Sequence, residues 1–349
     1  MTSILLMVLV MAAMVSSGIL SANAWRVGTS LQVIDYPDIT GGRKRHTNPT
    51  PLVGGIAFLL SMSLWGFLSI WLSNPVRSQG EDLIAISALM IVFALIGFID
   101  DRQELSPKIR LVILLAATAF AVNNQPTLTV QFLHFEFFGK ATILGNWGGI
   151  FTVLALVGLA NAVNMADGKN GLVIGMCLVW NTVLLFFAAP ILVPVLFISF
   201  GILLVLFYSN LRNRLFLGDT GSFALAAFFG LIAIYSYTQN FVRLPADVIV
   251  LMFMIPVLDC LRLMVSRVMR GQSPFSAGRD HLHHHIAAAT GWGIGLPLYL
   301  SLIAVPLGLR FVLPDASFAI ILLQIGAYVT VLAICSYSAR LRLSGQAAL

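Results

Sequence analysis

Apolar residues run through this chain in blocks near 20 residues long, separated by short polar joints. The blocks are 1–24, 52–72, 83–99, 109–122, 147–160, 172–189, 191–208, 222–237, 248–264, 292–312 and 318–337. None alternates apolar and polar positions over its length, so the pattern predicts helices, and a helix of this length can cross a bilayer. The stretch 181–209 is almost unbroken, and Pro190 and Pro194 mark the turn that divides it. Residues 127–137 alternate, T-L-T-V-Q-F and then F-E-F, which predicts a small external β-hairpin. The expectation is an all-α integral membrane protein of about eleven transmembrane helices, folded as one polytopic unit over residues 1–349.

Composition sharpens this picture. Hydrophobic residues make up 59% of the chain and charged ones 10%, against about 25% charged in soluble proteins. The polar joints are too short for a separate soluble domain. Cys177, Cys260 and Cys335 lie apart in apolar blocks and read as small buried residues. Ala22-Asn23-Ala24 resembles a signal-peptidase site, but no Lys or Arg precedes the first block. The block therefore reads as a retained helix with its N-terminus outside. Of the 20 Lys and Arg residues, threading eleven spans from there leaves four outside: Arg77, Lys140, Arg243 and Arg310. The other sixteen fall on the inner face, a strong positive-inside bias that also places the C-terminus in the cytoplasm.

Five inner-face joints carry groups capable of chemistry. Asn161 to Leu172 reads N-A-V-N-M-A-D-G-K-N-G-L. Asn161, Asn164 and Asp167 share one helix face if the helix continues that far. Amides and a carboxylate there suit a metal, a sugar or a base edge, although helix capping is the plainer reading. A second joint, Arg43 to Pro51, is basic and contains His46; it reads as a membrane-surface anchor or a phosphate-binding loop. A third is the adjacent pair Asp100-Asp101, with Lys108 beginning the next block. Acids at a helix C-terminus oppose its dipole, which favours function over mere solvation. The fourth, F-L-G-D-T-G-S from Phe216, offers Asp219 either as a helix cap or as a cation ligand near phosphate. The fifth runs from Asp259 and Arg262 to Arg279-Asp280-His281-Leu-His283-His284-His285. No Cys or Glu completes a zinc site there, so pyrophosphate binding by imidazole and guanidinium is the better reading. Carboxylates, amides and a cationic rim on one face suit Mg²⁺-assisted phosphoryl transfer.

These motifs, in this order, resemble the polyprenyl-phosphate N-acetylhexosamine-1-phosphate transferases. The resemblance rests on P-T-P-L-V-G-G from Pro49, Asp100-Asp101, N-A-V-N-M-A-D-G from Asn161, F-L-G-D-T-G-S and H-L-H-H from His281. It implies a ten- or eleven-span enzyme that uses Mg²⁺, with Mn²⁺ as an alternative. The partners it implies are a UDP-N-acetylhexosamine, undecaprenyl phosphate and the lipid bilayer, with no nucleic acid; a homodimer is left open. By the same resemblance Asp219 and Asn164 are the metal ligands, and Asp100, Asp101 and Asp219 form the catalytic set. His46 and Lys108 are implied as phosphate contacts and Asp167 and Asn170 as nucleotide contacts; Asn161, Arg279, His281, His283 and His284 complete the substrate-binding set. The H-x-H-H form favours an N-acetylhexosamine donor, with GlcNAc the first choice, over the phospho-muramoyl-pentapeptide transferase alternative. Asn170 stands where many bacterial members carry Asp, so a catalytic carboxylate is excluded there. The implied setting is the bacterial inner membrane, with the site facing the cytoplasm and a cell-envelope glycan begun on the lipid. The rival from another class is a secondary transporter, which would place ionisable groups near mid-span rather than at one face. A membrane scaffold would need neither the acidic pair nor F-L-G-D-T-G-S.

Overall fold

The computed structural model describes residues 2–37, 48–275 and 278–346. Each apolar block contains a helix. The chain opens with α1 (Ser3–Ala22) and α2 (Ala24–Leu31), which meet at Asn23. Next come α3 (Gly54–Ser61), a π-helical turn (Met62–Gly66) and α4 (Phe67–Leu72), which together make one rod. The long helices α5 (Arg77–Gln103), α6 (Pro107–Asn124), α7 (Trp147–Ala166) and α8 (Leu172–Phe187) follow. The second half holds α9 (Val193–Leu211), α10 (Gly218–Gln239), α11 (Ala246–Met269) and the short α12 (Leu282–Thr290). The last two are α13 (Trp292–Val312) and α14 (Ser317–Gln346).

Among the described residues nine helices are long and apolar enough to cross a membrane, so this is a multi-pass membrane protein. The other two blocks are the apolar but shorter α8 and α6, whose ends carry Lys108, Arg110, Asn123 and Asn124. Pro190 opens a single 3₁₀ turn and Pro194 sits in the first turn of α9, where a missing N–H costs nothing.

The hairpin lies further along than the alternation implies. Its strands are β3 (Phe132–Phe135) and β4 (Lys140–Ile143), paired antiparallel with Phe132 opposite Ile143. Gly139, at φ +61°, makes the turn. Residues upstream are drawn elsewhere: the Thr127 hydroxyl donates to buried Asp82 (2.6 Å), and the Val130 N–H donates to the Thr152 hydroxyl (2.9 Å). The hairpin is fastened to the C-terminal end of α10 and the N-terminal end of α11. The His134 N–H donates to the Tyr237 hydroxyl (2.7 Å), the Glu136 N–H donates to Asp247 (3.0 Å), and Arg310 pairs with Glu136.

α10 is the axis of the bundle. It is buried almost throughout and packs most extensively on α5. Small residues allow backbone to meet backbone at its start. A Cβ on Gly55 would fall onto the backbone of Gly221, and one on Gly97 would fall onto the carbonyl of Asp219. The segment before α3 is zipped to the residues leading into α10. The Gly54 and Gly55 N–H groups donate to the carbonyls of Phe216 and Leu217, and the Phe216 N–H donates to Pro51, each at 2.9 Å. Pro51 is drawn into this pairing through its carbonyl. It ends a strand, β2 (Thr50–Pro51), paired with β1 (Ile34–Asp35).

Overpacking a core costs about 1–3 kcal/mol, and here the obstructing atoms are backbone. Gly55→Ala and Gly97→Ala are each expected to destabilise the protein in detergent by an amount at or beyond that range, read as a lower melting temperature. Gly158→Ala, with nothing within 4 Å of its added methyl, should leave melting unchanged. Equal melting of all three would refute backbone-to-backbone packing here.

Candidate active site

Four helix ends meet around Asp219. α5 arrives C-terminus first, bringing Asp100 and Asp101, and α10 starts beside it. The two helices run antiparallel, so the positive end of the α10 dipole faces carboxylates that the α5 dipole disfavours. Asp101 uses both oxygens on α10. Its Oδ1 accepts the Asp219 N–H (2.8 Å), and its Oδ2 accepts the Thr220 N–H (2.9 Å) and the Thr220 hydroxyl (2.6 Å). Gly218, at φ +74°, makes room: a Cβ there would stand 2.8 Å from Asp101 Oδ2.

Asp100 faces the other way. It pairs with Arg110 of α6, whose Nη1 also reaches Asp219 Oδ2 at 3.3 Å. The guanidinium lies 5.2 Å from the centre of the buried Phe223 ring, which adds a cation–π contact. Asn164 closes the group from the last turn of α7, where its Nδ2 donates to Asp219 Oδ1 (2.7 Å) and to the Ser222 hydroxyl (3.0 Å). Two carboxylates thus share one guanidinium, with Asp101 a third acid close by, leaving an excess of negative charge that invites a cation.

A family model described as glycosyl transferase family 4 matches residues 83–237, which run from α5 through α10. The undecaprenyl-phosphate alpha-N-acetylglucosaminyl 1-phosphate transferase of Escherichia coli O157:H7 is 30% identical over 283 residues, covering 76% of this chain and 72% of the relative. The chain belongs to glycosyl transferase family 4. The protein of the same name from Yersinia pestis is 28% identical over 283 residues. A probable undecaprenyl-phosphate N-acetylglucosaminyl 1-phosphate transferase of Bacillus subtilis (strain 168) is 24% identical over 269 residues, covering 75% of this chain and 72% of the relative.

In this transferase the loop after α7 links the acidic group to the histidine segment. Asp167 terminates α7, and the turn is held by the Gly171 N–H donating to Asn210 Oδ1 (2.6 Å) and by the Trp292 indole N–H donating to the Asn170 carbonyl (2.8 Å). The Asn170 side chain donates to Asn213 Oδ1 (2.5 Å), and Asn161 bonds back to the Val157 carbonyl of its own helix (2.8 Å). Of the amides singled out in the sequence, then, Asn164 alone bonds to Asp219. Lys108 is exposed at the start of α6, as is Arg279 before the histidines. His46 lies outside the described residues.

The histidines differ in their surroundings. His281 is bound through Nδ1 to Asp259 Oδ2 (3.0 Å), and Asp259 also accepts from Arg262 (2.9 Å), the Tyr328 hydroxyl (3.1 Å) and the Leu282 N–H (3.1 Å). Asp259 is therefore the anchor of the histidine helix, α12. His283 is buried against Gly168, and neither of its ring nitrogens has a hydrogen-bond partner. Burial, with His284 and His281 beside it, pushes its pKa well below the ordinary value, and burial brings His284 down to about 4. His283 and His284 therefore favour the neutral form at neutral pH.

The residue that sequence reasoning passed over is Arg110. The signal was present, since a buried acid needs a cation, but Lys108 and Arg110 both open α6 and nothing in their spacing says which turns inward. For a metal, the donor set decides. Among the described residues no group of three or more His, Cys, Asp or Glu forms a metal cage. Mg²⁺ does not require one, because it keeps several waters and takes one or two carboxylates. Asp219 and Asp100, sharing Arg110, offer hard oxygens of that kind, and Asn164 orients the Asp219 carboxylate. The residues fit the ion.

Asp167 gives a pH test. Burial first, and the Asp101 charge second, raise its carboxyl from 3.8 to about 7. The folded protein thus prefers the protonated form. That contribution is complete below the unfolded value and is lost as pH rises through the folded one. Melting temperature should fall between pH 4 and pH 7 by more in the wild type than in Asp167→Asn; parallel profiles would show that this carboxyl is not desolvated.

Proposed function

We propose that the protein transfers an N-acetylhexosamine-1-phosphate, with GlcNAc-1-phosphate the first choice, from its UDP-sugar to undecaprenyl phosphate, releasing UMP. The product would begin a lipid-linked cell-envelope glycan. The observation that carries the reading is the meeting of Asp100, Asp219, Asn164 and Arg110 at helix ends, in a chain 30% identical to a protein named for this transfer. We place the site at the cytoplasmic face of a bacterial inner membrane, with eleven spans, the N-terminus outside and the β3–β4 hairpin outside, on the distribution of basic residues.

The chemistry follows from charge and position. An oxygen of the lipid phosphate attacks the β-phosphorus of the UDP-sugar. A new P–O bond forms there, the bond to the bridging oxygen breaks, and UMP leaves with that oxygen. A phosphate monoester has its second pKa near about 6, so the attacking group is largely dianionic at neutral pH and needs no strong base. Asp100 and Arg110, at adjoining helix ends, position the lipid phosphate where its tail can remain in hydrocarbon. Asp219, oriented by Asn164, would hold Mg²⁺, which would supply positive charge to offset that developing on the pyrophosphate. Asp167, the residues after it and the neutral histidines line the nucleotide side.

Purified protein given undecaprenyl phosphate and a panel of UDP-sugars should move label into organic-extractable lipid with UDP-GlcNAc. EDTA should abolish the activity and Mg²⁺ restore it. Asp219→Asn should lower kcat by about two orders of magnitude or more; near-normal turnover would leave Asp219 as a helix-start residue only.

The one-step path has a separate test. Enzyme incubated with labelled UDP-GlcNAc and no lipid, then denatured, should carry no label, and UMP should not exchange into UDP-GlcNAc. Stoichiometric label on an aspartate would establish a two-step path instead.

A further inference from the structure

Adjacent acids invite a shared role, but the geometry divides these two. Asp100 turns one oxygen to Arg110 and through it meets Asp219. Asp101 has three of its roughly four acceptor sites filled by the first turn of α10, at 2.6–2.9 Å. One of the donors is the backbone N–H of Asp219 itself.

We infer that Asp101 is a positioning residue: it caps α10 from another helix and so fixes where the Asp219 carboxylate points, without touching either substrate. The inference rests on the transfer reaction proposed above. Three restraints then act on Asp219 from three directions. Its N–H is held by Asp101, its carbonyl is pressed against Gly97, and its carboxylate is held by Asn164. The first N–H groups of a helix have no partner within the helix, and these are too enclosed to be left to water, since Thr220 is 1% exposed. A carboxylate satisfies two of them and also opposes the positive end of the dipole. If the cap is lost, the first turn loosens and Asp219 moves. A displacement of about 1 Å at a reacting centre costs on the order of a hundredfold in rate.

Thr220 separates this role from direct action on substrate, because it touches Asp101 and has no place in the chemistry. In the full-length enzyme, Thr220→Val removes only the hydroxyl. It should lower kcat about tenfold, raise the Mg²⁺ concentration for half-activity several-fold, and leave the KM for undecaprenyl phosphate unchanged. Thr220→Ser, which keeps the hydroxyl, should retain wild-type kcat, which guards against mistaking misfolding for mispositioning. Asp101→Asn should lower kcat further with the same unchanged KM, and adding Thr220→Val to it should cost little more. Hydrogen–deuterium exchange supplies a readout apart from activity: backbone amides of 217–224 should exchange faster in Thr220→Val and Asp101→Asn, and not in Thr220→Ser.

The inference is overturned if Asp101→Asn raises the KM for the lipid. It is equally overturned if Thr220→Val matches wild type in kcat and Mg²⁺ requirement while Asp101→Asn does not. A wild-type protein inactive with every UDP-sugar would instead sink the transfer reaction, and the role of Asp101 in it.

Discussion

A helix that begins inside a protein must find partners for its first N–H groups, and α10 begins in the middle of this one. That requirement organises the molecule. α5 meets it with Asp101, and the price is a second acid, Asp100, buried beside the first. α6 answers Asp100 with Arg110, and the same guanidinium reaches Asp219. The segment before α3 completes the collar by pairing with Phe216 and Leu217 just ahead of the helix. Remove the capped start of α10 and each of these groups loses its reason to be where it is.

Two polar networks result, joined by one loop. Around Asp219 the groups are carboxylates with too little positive charge to balance them. Around Asp259 the balance is complete, with Arg262, His281 and Tyr328 all turned to one carboxylate. The first network is where the proposed reaction would place a cation and phosphates. The second is a closed structural knot that sets the histidine helix against Gly168. The loop from Asp167 to Leu172 runs between them, pinned by Asn210 and Trp292.

Much of this was legible in the residues. Every apolar block contains a helix, because length and hydropathy alone decide which segments tolerate lipid. The joints at Asp100-Asp101, 161–172 and 216–222 proved to be helix ends for the same reason. What periodicity could not convey was direction. Asp100 and Asp101 are the same residue type in neighbouring positions, and only the arrival of α10 beside one of them tells them apart. Lys108 and Arg110 differ only in which one α6 turns inward. That His283 and His284 are withdrawn from solvent was hidden because sequence carries no measure of burial. The hairpin starts at Phe132 rather than at 127 because Asp82 and Thr152, distant in sequence, claim Thr127 and Val130 first.

The glycine contacts at the start of α10 also bear on how such a protein could change over generations. A mutational walk usually begins with the smallest available step, and for a glycine that step is one methyl. At Gly55, Gly97 and Gly218 one methyl is already too large, so the walk has no first move there. Lipid-facing positions such as Ile84 and Leu95 are open to drift by comparison. New specificity would therefore have to arise by exchanging the polar side chains that surround a stationary backbone mount, with the mount itself held out of reach of gradual variation.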